Sequence, residues 1–163
     1  MKAVILAAGE GVRMRPLTYT RPKAMLPLVN KPILEHLLLE AIKAGIREFI
    51  FVVGYHASAI EDHFGDGEKW GVGIKYILQR RQLGTAHALS LVRELNESRF
   101  LVINGDILIR AEDIAKVAGQ DNITLGVVEK RPEHLKTVEI MGDRVTGIHA
   151  KAEFSPSDLG ICG

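Results

Sequence analysis

Short apolar runs rich in Val, Ile and Phe alternate with longer stretches of helical period along most of the chain. The apolar runs predict buried strands over residues 3–7, 48–53, 74–78 and 100–103. The stretches between them predict helices over residues 32–44, 57–64, 85–95 and 113–118, and Thr85 is a candidate cap for the third of these helices. Strands that alternate with helices indicate an α/β fold with a mostly parallel sheet.

The pattern changes near the end of the chain. Apolar residues at 123–128 and 138–148 predict strands, and Gly142 with Asp143 predicts a hairpin turn inside the second run. Strands joined by a tight turn are antiparallel. We therefore expect a more antiparallel last third.

Composition restricts the partners and the compartment. The 163 residues suit one domain with a real core. With 21 basic and 20 acidic residues, the chain lacks the basic excess that binding to nucleic acid or an anionic membrane usually requires. Cys162 is the only cysteine, so we expect no intramolecular disulfide and no thiolate zinc site, and we favour a cytoplasmic location. No apolar stretch approaches membrane-spanning length.

The segment after the first strand, residues 9–31, is longer than the usual connection in a compact domain, which indicates a functional loop. It begins with Gly9 and Gly11, whose backbone amides can approach a phosphate closely. It then carries cations among prolines that restrict the backbone. A loop of this kind suits a triphosphate. The cations are Arg13, Arg15, Arg21 and Lys23.

Two further polar segments follow predicted strands. Asp106, in the run Asn-Gly-Asp, comes directly after the strand at 100–103, and carboxyl ends of parallel strands meet at one edge of a sheet. A carboxylate there, together with phosphate oxygens, suits Mg²⁺, so Asp106 is the predicted metal ligand. Residues 79–88 form the other segment, which lies between a strand and a helix. The six histidines show no metal-ligand pattern, and we assign none to chemistry.

The first loop carries a specific resemblance. Residues 6–18, Leu-Ala-Ala-Gly-Glu-Gly-Val-Arg-Met-Arg-Pro-Leu-Thr, and residues 22–27, Pro-Lys-Ala-Met-Leu-Pro, resemble the signature of the sugar-1-phosphate nucleotidylyltransferases. The resemblance implies that Arg13 contacts the β- and γ-phosphates and that Lys23 bridges the reacting phosphates. It also implies nucleotide contacts from Leu6, Ala8, Gly9 and Gly11, base recognition by Gln79, Gly84 and Thr85, and Mg²⁺ on Asp106.

The same resemblance implies a Rossmann-like three-layer nucleotidyltransferase fold. Residues 1–118 would form the nucleotide-binding part and residues 119–163 the start of the sugar-binding part of a catalytic domain that continues further, so we expect a truncated domain. The implied reaction condenses UTP or dTTP with glucose 1-phosphate or N-acetylglucosamine 1-phosphate and releases pyrophosphate. The choice of base and of sugar stays open, as does a homo-oligomer.

Three other functions compete with this one. A truncated nucleotide-binding module would bind UTP without turnover. Transfer from CTP to a phosphorylated alcohol would use the same glycine-rich loop, but residues 79–85 count against it. A nicotinamide dehydrogenase is least favoured, because Met14 stands where the dinucleotide fingerprint requires a third glycine. The Gly-Lys-Ser/Thr of a P-loop is absent from the sequence as well.

Overall fold

The computed structural model describes residues 1–93, 99–120, 127–129, 136–142, 144–150 and 159–161. The chain divides into two compact units, Met1–Ala118 and Gly119–Gly163. In chain order, the strands of the first unit are β1 (Lys2–Ala7), β2 (Pro27–Leu28), β3 (Lys31–Pro32), β4 (Glu48–Val53), β5 (Gly73–Leu78) and β6 (Phe100–Asn104). Its helices are α1 (Ile33–Lys43), α2 (Ala57–Phe64), α3 (Thr85–Ser90) and α4 (Ala111–Ala118).

Four parallel strands form the central sheet of the first unit, in the order β5-β4-β1-β6. The chain runs from β1 to β4 and β5 on one side and then places β6 on the other side of β1. The strand order therefore reverses between β1 and β6. In open α/β sheets, ligands bind in the crevice at such a reversal.

Side chains from alternate positions of β1 enter two separate hydrophobic clusters. Ala3 and Ile5 face α1, α2 and α4, whereas Val4 faces α3. On α1, one face is almost fully buried, at Leu34, Leu37, Leu38 and Ala41. Helices on both faces of a parallel sheet give three layers. The predicted α/β fold with a mostly parallel sheet is thus confirmed.

A buried carboxylate joins α1 to α2. Glu35 is 9% exposed, and its oxygens contact His63 Nε2 at 2.8 Å and Lys31 Nζ at 3.2 Å. Burial raises the pKa of Glu35, but the hydrogen bonds from His63 and Lys31 outweigh burial, so that the pKa lies below its ordinary value. A charged carboxylate therefore stabilises this helix pair.

The structure corrects three local predictions. The long loop contains short 3₁₀ turns at Val12–Met14 and Lys23–Met25 and the hairpin β2–β3. Thr85 does not cap α3: Gly84 occupies the cap position at φ 88°, a conformation that favours glycine, and no side chain caps this end. Helix α3 ends at Ser90, and Val92 N beyond it bonds to Leu89 O in the tighter i→i+3 pattern. The helix was predicted to extend to residue 95, and residues 94 and 95 lie outside the described residues.

The second unit is an antiparallel sheet. Its strands are β7 (Val127–Glu129), β8 (Lys136–Met141), β9 (Arg144–Ala150) and β10 (Leu159–Ile161), in the order β7-β10-β8-β9. The predicted hairpin is confirmed in β8 and β9, with Gly142 at φ 63° in the turn. Asp143 and residues 123–126 of the predicted strand lie outside the described residues. Across the described ranges, no helix is long and apolar enough to cross a membrane.

Candidate active site

The first turn of the loop after β1 depends on Gly11. This residue has φ +74°, and its carbonyl accepts a hydrogen bond from Met14 N at 2.8 Å. A Cβ atom added to Gly11 would lie 2.7 Å from Lys23 Cβ. Glycine is therefore required both by the left-handed backbone and by the close approach of Lys23. At Gly9, in contrast, an added Cβ atom would meet nothing within 4 Å.

Contacts along the loop hold it against the end of β4. Thr18 is fully buried, and its hydroxyl donates to Gly11 O at 3.2 Å. The carbonyl of Tyr19 accepts a hydrogen bond from Tyr55 Oη at 3.1 Å and lies 3.2 Å from His56 Nε2. These bonds fix the loop at two places.

Lys23 and Asp106 meet at the carboxyl edge of the sheet, one on each side of the strand-order reversal. Lys23 Nζ donates to Asp106 Oδ2 at 2.7 Å, and both side chains are about one-third exposed, at 35% and 34%. Gly105, directly before Asp106, packs closely against the end of β1: its N donates to Leu6 O at 2.8 Å, and an added Cβ atom would lie 3.0 Å from Ala7 Cβ. A cation and a carboxylate thus share the mouth of the crevice.

The cations of the loop fall into two groups. Arg15 is paired with Glu10, with Nε 2.7 Å from Oε1, and its guanidinium lies 5.6 Å from the centre of the Tyr19 ring. The hydrogen bond to Glu10 raises the pKa of Arg15. Arg13 and Arg21 are exposed, and neither forms an ion pair in the part of the chain that the structure describes. Arg13 and Arg21 therefore keep their charge available to an anion.

Gln79 and Gly84 form a second part of the candidate site, next to Ala8 at the end of β1. Gln79 is 5% exposed, and its Nε2 lies 3.2 Å from Gly84 O and 2.9 Å from His87 Nδ1. Gln82 Nε2 donates to Ala8 O at 3.1 Å, which fastens this part of the site to the end of β1. Thr85, the first residue of α3, is exposed.

The predicted site residues therefore lie around the ends of β1, β5 and β6. Sequence reasoning missed His87 and Gln82, whose contacts depend on how the segment after β5 folds back. The direct Lys23–Asp106 bond was also not predicted, although the shared sheet edge was. No group of three or more His, Cys, Asp or Glu side chains that could hold a metal occurs among the described residues. One carboxylate that acts together with phosphate oxygens is nevertheless a suitable donor set for Mg²⁺.

The sequence is similar to those of curated nucleotidyltransferases. The bifunctional protein GlmU of Methanococcus maripaludis is 38% identical over 141 residues, which cover 86% of this chain and 33% of the relative. The UTP–glucose-1-phosphate uridylyltransferase AglF of Haloferax volcanii is 41% identical over 171 aligned residues, which cover 100% of this chain and 70% of the relative. The chain therefore spans about a third of the length of the GlmU relative.

A solved structure of UDP-glucose pyrophosphorylase complexed with UDP-glucose superposes on 99% of this chain and 74% of its own length. The TM-score is 0.85 at 23% identity, which establishes the shared fold. Residues 2–134 match the profile of the family described as nucleotidyl transferase. Together with the AglF match, this shows that the chain belongs to the nucleotidyl transferase family.

Proposed function

We propose that this chain carries the nucleotide-binding part of an enzyme that joins UTP or dTTP to a sugar 1-phosphate and releases pyrophosphate. Family membership supports the reaction class. The observation that carries the proposal is the placement of Lys23 against Asp106, 2.7 Å apart, where the strand order reverses. This is where an α/β sheet binds a nucleotide, and it holds the two charges that a magnesium triphosphate needs.

The triphosphate would lie along the start of the loop. Gly9 leaves its surroundings open, so backbone amides at the turn can reach phosphate oxygens. Arg13 is exposed without an ion pair among the described residues and would contact the β- and γ-phosphates. Lys23 would lie between the reacting phosphates. These cations offset the negative charge of two phosphorylated substrates that must approach each other.

The ion pair of Lys23 and Asp106 describes the ligand-free site. When the triphosphate binds, the ammonium of Lys23 would turn to phosphate oxygens and the carboxylate of Asp106 would be left for Mg²⁺. The exposure of both side chains, about one-third, permits this exchange of partners. Bound Mg²⁺ supplies charge neutralisation at the phosphate oxygens.

The chemical step needs alignment more than acid–base catalysis. A phosphate oxygen of the sugar 1-phosphate attacks the α-phosphorus, and a new P–O bond forms while the bond to the β-phosphate oxygen breaks. The electron pair of that bond leaves with pyrophosphate. The attacking oxygen already carries negative charge, so no protein base is needed, and Lys23 and Arg13 would stabilise the charge that develops on the phosphates.

The remaining residues would bind the base and the sugar. Gln79, Gly84 and Thr85 would contact the base, with Leu6 and Ala8 at the end of β1 beside them. The contact of Gln82 with Ala8 O supports this placement, because it holds the Gln79 segment next to the β1 end. The second unit would begin the sugar pocket, with glucose 1-phosphate or N-acetylglucosamine 1-phosphate as the acceptor.

Pyrophosphate release tests the proposal. The full gene product that contains this chain is incubated with Mg²⁺, one of UTP, dTTP or CTP, and one of a panel of sugar 1-phosphates. We expect release with UTP or dTTP and one defined sugar phosphate, and none after chelation of Mg²⁺. Binding of UTP or dTTP without release across the whole panel would indicate a binding module instead. No binding of either nucleotide would contradict the proposal altogether.

A further inference from the structure

The amide of Gln79 is held by two contacts on the same atom. Its Nε2 lies 3.2 Å from Gly84 O and 2.9 Å from His87 Nδ1. A backbone carbonyl can only accept, so the nitrogen of the amide, and not its oxygen, must face Gly84. The carbonyl of Gly84 thus favours the orientation in which the amide nitrogen faces it.

The same geometry fixes the tautomer of His87. One proton of the Gln79 amide points to Gly84 O, and the other points to Nδ1 of His87, which must therefore accept. In the neutral ring, the proton then lies on Nε2. A proton on Nδ1 would face the amide protons and favour the flipped amide, which in turn would set its oxygen against Gly84 O.

The oxygen of Gln79 is left for another partner. Among the hydrogen bonds of the described residues, none reaches Oε1, although the side chain is only 5% exposed. A buried polar atom normally has a hydrogen-bond partner, so this acceptor fits a donor on a ligand. Gln82 Nε2 bonds to Ala8 O, which holds the segment that follows Gln79 beside the end of β1.

We propose that His87 is a positioning residue that holds the Gln79 amide with its oxygen offered to the base, so that the site selects a base with a ring N–H over one with a ring acceptor. This inference rests on the proposed function, in which Gln79 contacts the base. Uracil and thymine present N3–H as a donor, whereas cytosine presents N3 as an acceptor. A freely flipping amide could serve either kind of base, so selectivity requires that the amide be held.

Binding measurements on two matched variants test the role of His87. In His87→Asn, the side-chain oxygen can take the place of Nδ1 as an acceptor. In His87→Leu, a side chain of similar width offers none. Affinities for UTP, dTTP and CTP are measured by calorimetry with Mg²⁺ for each protein, and circular dichroism checks the fold. A purely structural role would weaken UTP and CTP binding by the same factor.

We expect the wild type to prefer UTP and dTTP over CTP, and His87→Asn to keep that ratio within about twofold. The loss of one neutral hydrogen bond in His87→Leu should lower the ratio roughly fivefold or more. An unchanged ratio in His87→Leu, or no preference in the wild type, would overturn the role of His87 but leave the proposed function standing. No nucleotide binding by the wild type would overturn both.

Nitrogen-15 spectra of the histidine rings give a second test that needs no variant. We expect the ring of His87 to carry its proton on Nε2 near neutral pH. A proton on Nδ1 would overturn the inference, because the amide of Gln79 could not then donate to it.

Discussion

Lys23 Nζ and Asp106 Oδ2 lie 2.7 Å apart, although 83 positions separate the two residues in the sequence. The parallel pairing of β1 with β6 brings them together, because it places the ends of both strands at one edge. The bond crosses the point where strand order reverses. We interpret it as the resting state of a site that separates these two charges when a magnesium triphosphate binds.

Replacement of Lys23 by Ala should reduce catalysis more than it reduces binding. If Lys23 stabilises charge on the reacting phosphates, the rate of pyrophosphate release should fall by about 100-fold or more. Single-turnover rates and UTP affinity are measured separately. Lys75→Ala, an exposed lysine in the middle of β5, is the matched control. Equal rates for the two variants would remove Lys23 from the reaction.

Arg13→Ala should weaken binding of UTP without affecting the fold. Loss of a charge-assisted contact to phosphate should raise the dissociation constant roughly tenfold or more. Because Arg13 is exposed and forms no ion pair among the described residues, the free energy of unfolding should change by about 0.5 kcal/mol or less. Calorimetry and urea unfolding measure the two quantities. Unaltered UTP affinity would contradict the assignment.

The two loop glycines should respond differently to alanine. Gly11→Ala places a methyl group 2.7 Å from Lys23 Cβ at φ +74°, so it should cost about 1 kcal/mol or more in stability. Gly9→Ala meets open space and should leave stability nearly unchanged. If phosphate approaches the backbone there, however, Gly9→Ala should still weaken UTP binding. Thermal unfolding and calorimetry together separate these effects, and full UTP affinity in Gly9→Ala would place the phosphates elsewhere.

The contact between α1 and α2 predicts a pH dependence of stability. The pKa of Glu35 is lowered in the folded state, so its charged form contributes stability above the ordinary value of 4.5, and this contribution is lost as the pH falls through the lowered pKa. Glu35→Gln should therefore cost about 1–3 kcal/mol near pH 7, and less at about pH 3. Urea unfolding at both pH values measures this. An equal cost at the two pH values would show that the charge of Glu35 is irrelevant.

Much of this fold could be predicted because its elements satisfy local rules. Residues 48–53 and 57–64 form the strand and the helix that were predicted, since a short run rich in Val and Phe favours a strand and apolar side chains four positions apart, at Ile60 and Phe64, favour a helix. The predicted start of α3 at residue 85 agrees with the structure, but the predicted cap residue does not. Gly84, and not Thr85, takes the cap position, because the backbone there adopts φ 88°.

The parts that could not be predicted depend on long-range contacts. Asp106 was expected near the first loop because the carboxyl ends of parallel strands share one edge of a sheet. That Lys23 is the cation that bonds to this carboxylate depends on how the loop folds back, which the sequence pattern does not show. Arg15 was predicted as part of the cationic cluster, yet Glu10 pairs with it. His87 was given no role, because its contact with Gln79 arises only when the intervening segment folds back.

The exchange of partners at Lys23 and Asp106 can be observed in a crystal structure of this chain with UTP and Mg²⁺. We expect the Lys23–Asp106 bond of 2.7 Å to be broken, with Lys23 on phosphate oxygens and Asp106 left to hold Mg²⁺. An intact Lys23–Asp106 bond beside a triphosphate bound elsewhere would contradict it.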